Sequence, residues 1–163
     1  ENTGFIKASC HRILEKIGDK KDYRLLFSAH GLPKRTIEKG DPYQRQAENT
    51  AKAIVRELDI PDLDWVICYQ SRVGPLEWIG PSIEEELIRA GQDKKGVIVY
   101  PHAFVSEHVE TLVELDQMYK EKAEQWGVPF YLRALTVGTD PDFIMGLAEL
   151  VRNRIKETEI RRA

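Results

Sequence analysis

Cysteine and methionine are the scarcest residues in this chain, at two each among 163. Cys10 and Cys68 form no paired metal-ligand spacing and no disulfide framework. Two unpaired thiols suit a reducing compartment, so a cytoplasmic setting is expected. Long apolar runs are missing too. None approaches the about 20 residues that a membrane-spanning helix needs, and no secretory leader is recognisable. Peripheral contact with a membrane is left open. Positive charge is not in excess. Lys and Arg total 24 against 27 Asp and Glu, a net charge of −3, which argues against a nucleic-acid partner. Neither a dinucleotide fingerprint nor a P-loop glycine pattern occurs. There is also no internal repeat and no low-complexity linker. The chain starts at Glu1 rather than methionine and enters a helical pattern at once, so it is expected to be part of something longer.

What is present describes one soluble globular domain. Hydrophobic residues make up 42% and charged residues 31%, and 163 residues can build one real core but not two. Periodicity and punctuation predict a helix over 4–17 with Gly18 as its stop, then a buried strand over 23–29 ended by His30-Gly31-Leu32-Pro33. A polar loop runs to Gly40. Asp41-Pro42 then opens a helix, with the proline at its first position, that lasts to about Leu58. The second strand covers 65–70, and a glycine- and proline-rich loop covers 71–81. Ser82 and Glu85 fit a capping box for a helix stopping at Gly91. The third strand spans 96–101, a long helix 106–126, the fourth strand 130–134 and the last helix 141–157. Strands alternating with helices predict a parallel sheet between helical layers. The expected architecture is a three-layer α/β domain with four parallel strands in the flavodoxin-like order 2-1-3-4. In that order the crevice between strands one and three, at their carboxyl ends, is the predicted ligand site.

Two chemically dense stretches lead into that crevice. His30 leaves strand one. His102, Glu107, His108 and Glu110 follow strand three, placing two imidazoles and two carboxylates within nine residues. A histidine at a strand end is often only hydrogen-bonded to backbone; in a crevice it can bind a divalent metal or take a proton. At about 100° per residue, Val109, Leu112, Val113, Leu115, Tyr119 and Trp126 share one helix face, with His108 in its middle. Glu110, Glu114, Gln117 and Glu121 lie opposite. On that pattern His108 reads as a core histidine and the acids as a solvated face. The alternative is that Glu110, in the first turn, and Glu114 behind it carry protons or guide a cation. The loop after strand two adds Ser71, Arg72 and Trp78. An arginine can pair with a ligand carboxylate and an indole can cover a flat ligand.

These residues fall within longer matches. Leu26-Phe27-Ser28-Ala29-His30-Gly31-Leu32-Pro33, Gly40-Asp41-Pro42-Tyr43, Tyr69-Gln70-Ser71-Arg72-Val73-Gly74-Pro75, Trp78-Ile79-Gly80-Pro81 and Phe104-Val105-Ser106-Glu107-His108-Val109-Glu110-Thr111-Leu112 resemble the motifs of the ferrochelatase family, in that family's order. The resemblance runs from about Phe5 to about Arg152. It covers the carboxyl-terminal half of a member, so residues 1–163 are expected to be one chelatase-like domain whose amino-terminal partner domain is absent. It implies insertion of Fe²⁺, as substrate metal, into a porphyrin, usually protoporphyrin IX, held in a cleft between the two domains.

Residue by residue, the resemblance implies that His30 and Glu110 handle the metal or the pyrrole protons, with Glu114 next in an acidic file. Ser71, Arg72, Trp78 and Phe104 are expected on the porphyrin side. His108 matches a second site-region histidine, against the core reading. His102 stands where an aliphatic residue is usual and is a further candidate ligand. Met118 interrupts the acidic file. Some relatives hold an iron–sulfur cluster through cysteines in a carboxyl-terminal extension; this sequence ends at Ala163 without them, so no cluster is expected. Two other functions stay open. One is a related cobalt chelatase, against which the Phe-Ser-Ala-His and Gln-Ser-Arg-Val-Gly-Pro motifs speak. The other is a non-catalytic metal- or tetrapyrrole-binding module.

Overall fold

Strand β1 (Tyr23–His30) is the spine of the domain. In the computed structural model, which describes residues 2–160, it pairs in parallel with β2 (Trp65–Gln70) on one edge and β3 (Gly96–Pro101) on the other. A short β4 (Tyr131–Arg133) pairs with β3, giving the order β2-β1-β3-β4 that the sequence implied. The termini at Glu1 and Ala163 lie outside the described residues. Side chains alternate across the sheet, as the strand period of two requires. Leu25, Phe27, Ile98 and Tyr100 point to one face, where they meet Ile13 and Ile17 of α1 (Thr3–Ile17) and Ile54 and Leu58 of α3 (Tyr43–Leu58). Leu26, Val97 and Val99 point to the other, against Ile83 and Leu87 of α4 (Ile83–Gln92) and Tyr119 and Ala123 of α5 (Tyr119–Gln125). Both faces of β1 and β3 are covered, which is why those segments read as unbroken apolar runs rather than alternating ones. The last helix, α6 (Pro141–Ile160), packs on α1.

Local signals place most boundaries. Ser82 and Glu85 form the expected capping box at α4. The Asp41 carboxylate accepts the Tyr43 N–H at 2.9 Å, but Pro42 sits just outside α3 rather than at its first position. The loop expected over 34–40 contains one further short helix, α2 (Lys34–Glu38). It is five residues long, too short for a 3.6-residue period to be legible.

The largest departure lies after β3. The helix expected over 106–126 starts later and is not one α-helix. Glu110–Met118 form a π-helix, in which each N–H reaches the carbonyl five residues back, and α5 continues from it. The wider turn invalidates the 100° step. Leu115 and Tyr119 are buried as expected, but Val109, Leu112 and Val113 are exposed, while Glu110 and Glu114 are half-buried rather than solvated.

His102 is corrected by the same alternation. It continues the Ile98–Tyr100 side of β3, the face opposite Ser28 and His30. Its ring is 1% exposed and stands edge-on to Phe27, with centroids 5.5 Å apart. Nε2–H donates to the Ala47 carbonyl at 2.9 Å. His102 is a core histidine and does not join a site with His30. Burial pulls its pKa down to about 4 against the one hydrogen bond, which acts the other way. The folded state therefore resists a proton that the unfolded chain accepts below about pH 6.5. The His102 contribution to stability is complete above that pH and is lost as pH falls through it towards 4. The full difference is worth ~3 kcal/mol. Urea denaturation of His102→Leu should show a flatter stability profile between pH 6.5 and 4 than the parent chain. Parallel profiles would show that His102 does not carry this pH dependence.

Candidate metal and proton-transfer site

The site forms where β1, β2 and the π-helix meet. Ser28 and His30, two residues apart, share one face of β1, and Gln70 pairs with His30 in the adjacent strand. Ser28 and Gln70 are fully buried. The Ser28 hydroxyl donates to Gln70 Oε1 at 2.7 Å. Gln70 Nε2 then donates to the Glu110 carbonyl at 3.0 Å and to Glu114 Oε2 at 3.3 Å. Those two partners are acceptors only, which fixes the orientation of the amide. Ser71 Oγ donates to the same Glu114 oxygen at 2.8 Å. It reaches that oxygen from a left-handed backbone position, φ +59°, that a non-glycine residue adopts at a cost of roughly 1 kcal/mol or more. The sheet edge thus grips the first turns of the π-helix at one main-chain and one side-chain oxygen.

His30 is oriented by its own loop. Its Nδ1 is 2.7 Å from the Gly31 carbonyl, which can only accept, so Nδ1 carries the hydrogen. In the neutral ring the lone pair is therefore on Nε2. That atom lies 3.7 Å from Glu110 Oε1. Both side chains are partly exposed, at 41% and 29%. The gap exceeds a hydrogen bond, yet falls within the span of two atoms bound to one transition-metal ion at about 2.0–2.2 Å each. The Tyr43 hydroxyl donates to the His30 carbonyl at 3.1 Å, and burial, reinforced by the Glu110 charge, raises that phenol's pKa despite this bond.

The remaining candidates are sorted by their contacts. His108 lies outside the helix and not on a buried face, as its wheel position had suggested. Its Nδ1 accepts the Glu110 N–H at 3.2 Å, and its ring packs 5.0 Å from Phe104. It closes the amino end of the π-helix and so positions Glu110. Glu107 is committed elsewhere. It takes Arg133 Nη1 at 2.9 Å and the Thr136 N–H at 2.8 Å. Burial would raise its pKa, but these bonds, with Thr111 and the guanidinium charge, hold it below the usual value. Arg72 Nη1 lies 3.9 Å from Glu85, and Arg72 lines a cavity of about 310 Å³ with Ser71, Glu114 and Met118. Trp78 is half-buried, and its main chain bridges to Pro33 beside the His30 loop. A Cβ on Gly31 would stand 3.3 Å from the indole and 3.1 Å from the Arg72 side chain, so a larger residue there would have to push these neighbours back by a few tenths of an ångström.

Ser28, Gln70 and Tyr43 were not identified as site residues from sequence. The first two carried a usable signal, being polar residues at the ends of otherwise apolar buried strands, in phase with His30. The third carried none, since a tyrosine opening a helix is unremarkable.

Comparison with known proteins identifies the family. A ferrochelatase family model matches residues 1–155. The ferrochelatase of Caulobacter vibrioides is 55% identical over 155 residues, covering 93% of this chain and 44% of that protein. The Pelagibacter ubique ferrochelatase is 50% identical over 157 residues, covering 95% of this chain and 46% of that one. The Rickettsia typhi ferrochelatase is 52% identical over 155 residues, covering 95% and 45%. The chain therefore spans less than half the length of the curated relatives it matches. Among solved structures, SirB from Bacillus subtilis with Fe³⁺ superimposes with a TM-score of 0.66 at 16% identity, over 96% of this chain and 55% of that one, a likeness of fold. With about half its residues identical to those of several such enzymes across almost its entire length, the chain belongs to the ferrochelatase family.

Proposed function

We propose that this domain supplies the metal- and proton-handling wall of a ferrochelatase that inserts Fe²⁺ into protoporphyrin IX. The observation that carries the reading is the His30–Glu110 pair, an imidazole lone pair facing a carboxylate across 3.7 Å at the carboxyl edge of the sheet. Metallation replaces two pyrrole protons by one Fe²⁺ ion and releases two protons. His30 Nε2 is the acceptor for a pyrrole proton and a ligand available to iron. Glu110 is its partner, since ferrous iron takes both imidazole and carboxylate. Glu114, joined to Ser71 and Gln70, is the next carboxylate through which a proton leaves. Phe104, Trp78, Arg72 and Ser71 line the porphyrin side in this reading, Ser71 also through its hold on Glu114.

The porphyrin is held between this wall and a second domain, the amino-terminal half of the same protein. In support, the relatives are more than twice as long as the matched segment, and Val109, Leu112 and Val113 are exposed beside the site at 65%, 47% and 45%. Those side chains suit contact with a flat apolar ring or with the other half. Iron is the substrate, and no iron–sulfur cluster is held by this chain. Cys10 and Cys68 belong to core clusters on opposite faces of the sheet. We place the enzyme in the cytoplasm, in keeping with those two buried free thiols. No described helix is long and apolar enough to cross a membrane.

Three outcomes test this reading. The 163-residue chain alone should fold, by circular dichroism and cooperative melting, yet show no insertion of Fe²⁺ or Zn²⁺ into porphyrin; robust turnover would mean that the site needs no second wall. In the complete enzyme, His30→Ala should nearly abolish metallation while leaving the melting temperature almost unchanged. Full activity in that variant would reduce His30 to a strand-end residue. Glu110→Gln keeps the shape and removes the charge. It should lower turnover by roughly 10²–10⁴, as for a lost acid–base group, with a smaller effect on porphyrin affinity by fluorescence quenching. Near-normal turnover would leave Glu110 as part of a helix face only.

A further inference from the structure

The π-helix that carries Glu110 is held from both edges of the sheet. Gln70, at the end of the outer strand β2, holds the Glu110 carbonyl and the Glu114 carboxylate. The opposite outer strand, β4, supplies a second hold. It pairs Tyr131 with Val97 and Arg133 with Val99, so those two side chains share the sheet face on which Val97 and Val99 are packed. The Tyr131 hydroxyl donates to the Leu115 carbonyl at 2.8 Å. Burial, with the Asp116 charge second, pushes that phenol's pKa up, so it stays a donor. Arg133 Nε and Nη2 donate to the two Asp116 carboxylate oxygens at 2.6 and 2.7 Å, and Nη1 donates to Glu107 Oε2 at 2.9 Å. The Arg133 side chain is only 6% exposed, and all three of its nitrogens are engaged.

We propose that Tyr131 and Arg133 are positioning residues for metallation, acting through Glu110; the proposal rests on the role given to Glu110 above. Their hydrogen bonds go to residues that flank Glu110 in the chain. Arg133 fixes Glu107. The next residue, His108, gives its N–H to the Thr111 hydroxyl at 2.9 Å and takes the Glu110 N–H on its ring Nδ1 at 3.2 Å. On the other side of Glu110, Leu115 and Asp116 are held by Tyr131 and Arg133. A grip by Gln70 alone would leave the helix free to pivot about one edge of the sheet. The hold from β4 removes that freedom. The tolerance is small. His30 Nε2 and Glu110 Oε1 are 3.7 Å apart, and two bonds of about 2.0–2.2 Å to one ion span at most ~4.4 Å. A shift of well under an ångström therefore decides whether the pair can meet one ion. A buried ion-pair cluster adds little net stability over apolar packing. The two-pronged Arg133–Asp116 contact instead fixes geometry.

The test uses the complete enzyme. Tyr131→Phe keeps the ring and removes only the hydroxyl, and Asp116→Asn keeps the shape while weakening the Arg133 contact. Each should lower kcat roughly tenfold or more, as a misplaced reacting group does, with KM for porphyrin unchanged. Leu132→Ala, on the opposite face of β4, is the control. It should lower the melting temperature at least as much and leave kcat as it was. The decisive arm is a double-mutant cycle. In a Glu110→Gln background, with residual turnover measured at high enzyme concentration, Tyr131→Phe should cost nothing further, because the group it positions has already lost its charge. The proposal is overturned if Tyr131→Phe and Asp116→Asn keep the parental kcat, or if Leu132→Ala loses kcat to the same extent as they do. It is overturned equally if the losses from Tyr131→Phe and Glu110→Gln multiply, and that outcome leaves the role of Glu110 intact. Near-normal turnover by Glu110→Gln alone would remove both.

Discussion

The side-chain amide of Gln70 is the contact on which the site depends. It is fully buried, and both its oxygen and its nitrogen are engaged. One end is tied to β1 through Ser28, and the other to the π-helix through the Glu110 carbonyl and the Glu114 carboxylate. Leaving any one of those buried groups unpaired costs about 1–3 kcal/mol, so the arrangement is held as a unit. The amide converts the register between β1 and β2, set by ladder hydrogen bonds, into the position of a helix that neither strand touches covalently. Glu110 consequently faces His30 because Gln70 pairs with His30 across the sheet.

Around that anchor, residues of one type are given different jobs by their surroundings. His102 is neutral and enclosed. His108 accepts a backbone N–H at a helix start. His30 gives its Nδ1 hydrogen to the next carbonyl and presents a lone pair at Nε2. Of the two carboxylates after β3, Glu107 is consumed by Arg133, whose other nitrogens hold Asp116 at 2.6 and 2.7 Å. Only Glu110 keeps a carboxylate directed at another functional group across a gap. On the proposed reading, a dense run of titratable residues thus resolves into one chemical position and several structural ones. The selection is made by which face of the sheet each residue lands on and by which basic partner is already within reach.

The same distinction explains what could be read in the sequence. Strand–helix alternation carries the sheet order because right-handed crossovers leave few alternatives. The approach of His30 to Glu110 follows from that order, although the side chains that hold Glu110 and Glu114 come from the end of β2 rather than from the boundary between β1 and β3. Boundaries set by local chemistry, such as Ser82 with Glu85, were equally legible. The turn after β3 was not, because helical-wheel reasoning assumes one step angle. Glu110–Met118 winds with bonds five residues long, so Val109, Leu112 and Val113 turn outward and the two acids turn inward. Nothing in the composition of Glu-Thr-Leu-Val-Glu-Leu-Asp-Gln-Met announces that winding. The carbonyl of Glu110 and the carboxylate of Glu114 are both held by a side chain from another strand, a tertiary constraint that a helical wheel does not contain. The burial of His102 escaped for a related reason: a loop residue was assumed to be free of the strand period, whereas its N–H bonds to the Ser28 carbonyl at 2.7 Å and continues the ladder.

That winding has a consequence for the proposed chemistry. A π-turn places Glu110 and Glu114, four residues apart, on one side of the helix, and both are drawn towards the sheet rather than to water. The lone pair of His30 is fixed by a bond to its own neighbour, and Glu110 is fixed by Gln70 and His108. None of these constraints requires another domain. The groups that would exchange protons for a metal are therefore set within this chain, before any porphyrin arrives. The groups that would cover a macrocycle are different in kind. Phe104 is packed on His108, Trp78 lies along the His30 loop, and Val109, Leu112 and Val113 are exposed at the start of the π-helix. They form a surface rather than an enclosure. On the proposed reading, chemistry and recognition divide accordingly: this half preorganises the reacting atoms, and the exclusion of water and the shaping of the ring depend on what closes over it.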